Sequence, residues 1–149
     1  MRSLVIIATM LSLVGVAQAG DDMIVKKSAH NAATTMDRFE AGLKEKGITV
    51  VARVNHAAAA KKVDLVLRPT ELIVFGNPKL GTPLMQSNQR AGIDLPLKAL
   101  VWEDEKGQTW IGYVAPSAIA NNHAIRDRDE VVKKMAGVLD ALSTRAISP

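Results

Sequence analysis

The sequence predicts an α+β protein whose antiparallel sheet carries its long helices on one face, and three observations predict it. Two apolar stripes recur at helical spacing, Ala32, Met36, Phe39 and Leu43 early in the chain and Val131, Val132, Met135, Val138, Leu139 and Leu142 near its end. Ile48 to Val54 and Glu71 to Phe75 are short runs dense in β-branched residues, the composition of strands. Ala99 to Glu103 and Thr109 to Val114 are two further strands joined by Asp104-Glu105-Lys106-Gly107-Gln108, a glycine-containing loop of hairpin length that forces its flanks to run antiparallel.

Each element follows in order. Met23-Ile24-Val25 is a short apolar run and reads as the first strand. Ser28 offers an N-cap to the first helix, which ends with Lys44 and Lys46 in its last turn and Gly47 beyond, cations suiting the helix dipole and glycine the left-handed stop. After the strand Ile48 to Val54, Asn55 caps a short helix from His56 to Lys62 whose four alanines favour helix intrinsically. Arg68-Pro69 turns the chain out of helical conformation before the strand Glu71 to Phe75. Asn77 to Pro96 reads as a turn-bracketed segment. The hairpin strands follow, Pro116 opens a helical turn to Ala120, and the last helix starts near Asp127 or Asp129. The order is β-α-β-(α)-β-(α)-β-β-α without repeats or linkers, one domain over residues 20–149.

The chain of 149 residues has no Cys, which excludes disulfide staples, thiolate metal sites, a Cys nucleophile and a covalently attached c-type haem. Residues 1–19 have the form of a secretory signal peptide: a positive start at Arg2, an apolar run from Leu4 to Val16, and Ala17-Gln18-Ala19 as the small-x-small cleavage pattern. That run is shorter than the roughly twenty residues a membrane span needs, so the expectation is a periplasmic or secreted protein with no stable membrane insertion. Without Arg2, 18 of the 19 Lys+Arg remain against 15 Asp+Glu, a net charge of +3. The excess is scattered in pairs such as Lys61-Lys62, so a nucleic-acid partner is not expected, although a small anionic ligand fits this balance.

Asn55-His56-Ala57-Ala58-Ala59-Ala60, and then the long stretch from Leu67-Arg68-Pro69-Thr70-Glu71 through Gly76-Asn77-Pro78-Lys79-Leu80-Gly81-Thr82-Pro83-Leu84-Met85, resemble the bacterial domain-of-unknown-function family numbered 302. Gln86 to Pro96 and Lys98 to Glu103 continue the likeness. The resemblance implies a TATA-binding-protein-like β-α-β4-α fold and a homodimer, and it brings no activity with it. Relation to a DNA-binding fold class implies nothing about DNA, because function resides in sites.

The candidate ligand-binding residues are His56, Asn77, Lys79, Gly81, Thr82, Gln86 and Arg90. His56 stands where a strand meets a helix and is either a ligand, a general base or a histidine bound to a backbone carbonyl. Asn77 to Pro83 reads as a turn-rich loop in which Lys79 supplies charge and the Gly81 and Thr82 amides supply donors for an anion, or in which the turn residues serve geometry alone. Within Met85 to Arg90, Gln86 and Arg90 share a face if the segment is helical. A pairing of His56 with Met85 would suit haem iron or Cu(I), though no metal-binding spacing supports it. His30 and His123 lie in polar surroundings and read as surface residues. Trp102 and Trp110 face each other across the hairpin, where a core, a pocket wall or a dimer seam would use them. The acidic clusters at 103–105 and 127–130 fit a solvated turn and a helix start, and no serine sits in a nucleophile elbow. The function expected is therefore a non-enzymatic homodimeric ligand-binding or interaction module. The alternatives are a periplasmic enzyme with His56 as base and Lys79 or Arg90 holding an anionic substrate, and a haem or copper protein using His56 and Met85.

Overall fold

A computed structural model describes residues 22–149, so the leader assigned to residues 1–19 lies outside the described residues. The elements run β1 (Met23–Lys27), α1 (Ala32–Glu45), β2 (Thr49–Asn55), α2 (His56–Lys61), β3 (Thr70–Gly76), α3 (Pro78–Ser87), a 3-10 turn (Gln89–Ile93), β4 (Leu97–Glu103), β5 (Thr109–Val114), α4 (Pro116–Asn122) and α5 (Asp129–Ile147). The strands form one sheet in the order β1-β5-β4-β3-β2, and every neighbouring pair is antiparallel.

The alternation of each strand sorts its residues between two faces. Ile73, Phe75, Ala99, Val101, Ile111 and Tyr113 are buried on one face beneath Met36, Phe39 and Leu43 of α1 and Leu139, Leu142 and Ala146 of α5. Phe39 meets Phe75 edge-to-face with ring centroids 5.5 Å apart. The two helices approach closely at Gly42, where an added Cβ would stand 2.8 Å from Leu142 Cδ2. A second cluster of Leu84, Ala91, Ile119, Ala120, Ile125 and Met135 joins α3, α4 and the first half of α5, with Leu97 packing against both clusters.

The α1 helix begins three residues later than Ser28 suggests. Asn31 is the N-cap and its side chain accepts from Thr34 N at 2.9 Å. Ser28 is instead buried and shares a 2.7 Å hydrogen bond with the Thr35 hydroxyl, so its cap chemistry is spent on the approach to the helix. Both histidines assigned to the surface are half-buried and bound. His30 Nε2 lies 2.7 Å from Ser148 O, and His123 Nε2 lies 2.6 Å from the Asp94 carboxylate. Their partners are 118 and 29 residues away, beyond any local pattern.

The outer strand β2 is exposed along nearly its whole length and is tied in by Arg53. Arg53 donates to Glu71 Oε1 at 2.7 Å, Asp37 Oδ1 at 2.7 Å and Glu40 Oε2 at 2.9 Å, linking β2 to both β3 and α1. Hydrogen bonds from Lys44 and then from Arg53 hold the Glu40 carboxyl below its ordinary value of 4.5. A carboxylate depressed in the folded state contributes stability that is complete above that ordinary value and is lost as pH falls through the lower folded one. Arg53→Leu should cost about 1–2 kcal/mol at neutral pH, three partly exposed pairs at a few tenths to one kcal/mol each. The same substitution should make the decline of stability below about pH 4 shallower, since one of the two main causes of the depression is gone. Denaturant unfolding at neutral pH and at about pH 3 reads both effects.

Candidate functional site

The segment from Asn77 to Pro83 is the opening of helix α3 rather than a loop. Pro at the first helical position is compatible with helix because that residue's N–H has no intrahelical role. Asn77, extended at φ −133° and ψ 114°, accepts from Lys79 N through its side chain at 2.9 Å. Its carbonyl accepts from Leu80 N at 2.9 Å and Gly81 N at 3.0 Å. Pro78 has no N–H, so the amides of the first turn are all accounted for, and Thr82 lies inside the helix. The anion cradle expected from the Gly81 and Thr82 amides is therefore closed by the protein's own backbone. The helical reading loses in the sequence because Gly81 and Pro83 are breakers; it wins in the fold because Leu84 is fully buried and Leu80 packs beside it in the second cluster.

At the junction of the two clusters is a half-open crevice of about 320 Å³. Its floor is Phe75, Leu97 and Leu139, one wall is Leu80, Gly81 and Met85 of α3, another is Met135 and Val138 of α5, and Leu95 and Pro96 close a side. Its mouth faces β2. There Val50 pairs with Phe75 and Ala52 with Val74, so Val51 is the extra residue of a β-bulge, 60% exposed at the crevice edge. A bulge breaks the alternation of a strand and re-aims a side chain; here Val50 packs against the core while Val51 lines the crevice. Thr49, Asn77 and Thr82 supply the polar groups around this apolar lining.

The sequence-predicted residues divide among four places. Asn77, Gly81 and Thr82 line the crevice, together with Met85. Gln86 and Arg90 line a shallow polar groove that adjoins it, the two sharing Thr82 and Met85. Gln86 belongs to α3, but Arg90 lies beyond its end in the 3-10 turn, so they do not share one helix face. Lys79 is exposed and lines neither. His56 is at the far end of the sheet: β2 and β3 pair with Asn55 beside Glu71 and Thr49 beside Gly76. With β3 seven residues long, the His56 end and the α3 end stand about 20 Å apart at ~3.3 Å per residue. His56 and Met85 are therefore not placed to ligate one metal, nor is His56 placed to act on a substrate held by Lys79 or Arg90. Asn55 caps α2 as its sequence suggests, accepting from Ala58 N at 2.8 Å, while His56 is exposed on a helix with no buried residue. Among the described residues no group of three or more His, Asp or Glu side chains gathers to hold a metal ion, and no helix is long and apolar enough to cross a membrane.

The apolar walls of the crevice were not visible as a site in the sequence, because Leu97, Met135 and Leu139 carry the same signal as any core residue. The bulge at Val51 has no sequence mark either. Asn77→Ala should remove the α3 cap, lowering stability by about 1 kcal/mol. Thermal unfolding with far-UV circular dichroism measures this loss, and Asn77→Ser should recover most of it.

A family model described as "Domain of unknown function DUF302" matches residues 24–142. The fluoride-specific ion channel FluC 1 of Brucella suis biovar 1 is 42% identical over 112 residues, which cover 75% of this chain and 44% of that protein. The protein of the same name from Brucella abortus biovar 1 is also 42% identical over 112 residues, covering 75% of this chain and 42% of its own length. The chain thus spans less than half the length of these curated relatives. A crystal structure of a DUF302 protein from Bacillus stearothermophilus superposes with a TM-score of 0.76 at 20% identity, covering 85% of this chain and 98% of that one. At that identity the likeness establishes the fold.

Proposed function

The chain belongs to the DUF302 family, and we propose that it is an exported, non-enzymatic binding domain that pairs with a second copy of itself through the open face of its sheet. The observation that carries this reading is the composition of that face. Register places Val54, Leu72, Leu100, Gly112 and Val25 in one row across all five strands, with Trp102 beside Trp110 in the next. Trp102 covers Gly112, its ring atoms only 3.1 and 3.2 Å from where a Cβ would stand. The helices α1 and α5 pack on the opposite face, and Val25 and Val54 are 40% and 39% exposed. The apolar strip Val63, Leu65, Val66 and Leu67 lies exposed just ahead of β3. Five strands about 4.8 Å apart and six residues of ~3.3 Å give a footprint of roughly 24 by 20 Å, and the strip extends it toward the ~800 Å² per partner of a specific interface. Lys98 and Lys27 stand on the same face at the margins of the row, a polar rim around its apolar centre. Leu100→Glu, at the centre of the row, should convert the dimer to a monomer without loss of helical signal. Native mass spectrometry and light scattering of residues 20–149 decide it; a monomeric wild type, or a variant that stays dimeric, rejects the reading.

The curated relatives favour a second reading, in which this domain serves a membrane channel. They are named fluoride-specific channels, and more than half of their length lies outside the match. The matched part here contains no helix long and apolar enough to cross a membrane among the described residues. On this reading the chain is a counterpart of the domain that it matches in these relatives, and it serves a channel. Deleting its gene should then lower the fluoride concentration that arrests growth, with restoration by the exported chain; unchanged fluoride tolerance rejects it.

A further inference from the structure

We infer that the crevice between α3, α5 and the bulge of β2 binds an amphiphile with a short unbranched aliphatic tail, whose anionic head lies in the adjoining groove at Arg90. This deepens the binding part of the proposed function and does not depend on the sheet face being a dimer interface. Close-packed interiors seldom leave voids much larger than a water molecule. The crevice, at about 320 Å³, has on the order of ten times a water's ~30 Å³ share of liquid volume. Its lining offers water few hydrogen-bond partners, since Asn77 spends its Oδ1 on the α3 cap. An apolar ligand gains there what water does not.

The lining favours an aliphatic tail over a flat ring. Phe75 is the one aromatic residue in it, and its ring is already engaged edge-to-face with Phe39. The two thioethers, Met85 and Met135, are flexible side chains that mould to a chain of varying bend. The head-group assignment rests on adjacency and charge. Thr82 and Met85 border both the crevice and the polar groove, and the groove contains Gln86 and Arg90. Arg90 is exposed, and its guanidinium has no hydrogen-bond or ion-pair partner among the described residues. A free guanidinium beside an apolar slot matches a carboxylate at the end of a tail, which it can hold with two parallel hydrogen bonds.

The test is isothermal titration calorimetry of the purified chain with hexanoate, octanoate and decanoate, with decanol as the uncharged control. Affinity should rise about fourfold per methylene along the acid series, the gain expected of burying each CH₂. Gly81→Leu fills the crevice from α3; the Gly81 Cβ position is 3.6 Å from Leu95 Cδ1, ordinary contact, and leucine is the better helix former. Val51→Trp closes the mouth from an exposed edge position, so it leaves the core untouched. Both should weaken decanoate at least about tenfold while circular dichroism stays unchanged. Arg90→Gln should weaken decanoate several-fold and leave decanol unaltered. No binding of decanoate, or wild-type affinity in both filling variants, overturns the site. Equal response of acid and alcohol to Arg90→Gln overturns the anionic head.

Discussion

The seat of Leu142 against the bare Cα of Gly42 sets the geometry of the molecule. It lets α1 and α5 lie close enough together for both to cover one face of a single sheet, with Phe39 set edge-on to Phe75 beneath them. At 19 residues α5 is about 28 Å long at 1.5 Å per residue, longer than the roughly 20 Å of a six- or seven-residue strand. Its second half supplies Leu139, Leu142 and Ala146 to the sheet, and its first half overhangs, where Met135 gathers α3 and α4 into a separate cluster. The crevice lies at the seam between these two packings. Arg38 reinforces the arrangement from the other end, donating to the carbonyls of Arg145, Ala146 and Ser148 where the α5 dipole is negative.

Placing both long helices on one side has a consequence for the other. Residues that alternate away from the helices face solvent, yet Leu72, Leu100, Trp102 and Trp110 are apolar and only half-exposed. Gly112 lets the Trp102 ring lie flat on the sheet, with Met23 Cε 2.7 Å from where a Cβ would be. The two faces therefore serve separate ends. One is a finished core with a crevice at its edge, and the other is an open face with an apolar centre. A further set of apolar residues stands at Val63 to Leu67, at the His56 end of the sheet and away from the crevice.

Local physics made much of this legible. The Ala32, Met36, Phe39 and Leu43 stripe is buried as its spacing requires, the Asp104 to Gln108 loop joins two paired strands, and Asn55 caps α2. In that loop Asp104 Oδ1 accepts from Lys106 N and Gln108 N, the reason an Asp opens such a turn. Legibility failed where two local chemistries competed. Ser28 and Asn31 are both cap residues, and burial of Ser28 against Thr35 decides for Asn31. Gly81 and Pro83 speak against helix, and the burial of Leu84 overrides them.

The candidate site shows the same division. Asn77, Gly81 and Thr82 stand at the crevice because the turn signals around them mark where β3 gives way to α3. His56 carries an equally suggestive signal and stands at the opposite end, since its distance from α3 depends on the direction of β3 and not on composition. By itself the sequence determined the α+β class, the helix stripes and the hairpin, because each rests on contacts within a few residues. Only the tertiary structure decided which polar residues meet, where the crevice opens and which sheet face stays bare. Those outcomes depend on side chains distant in the chain competing for the same space, and no local pattern records that competition.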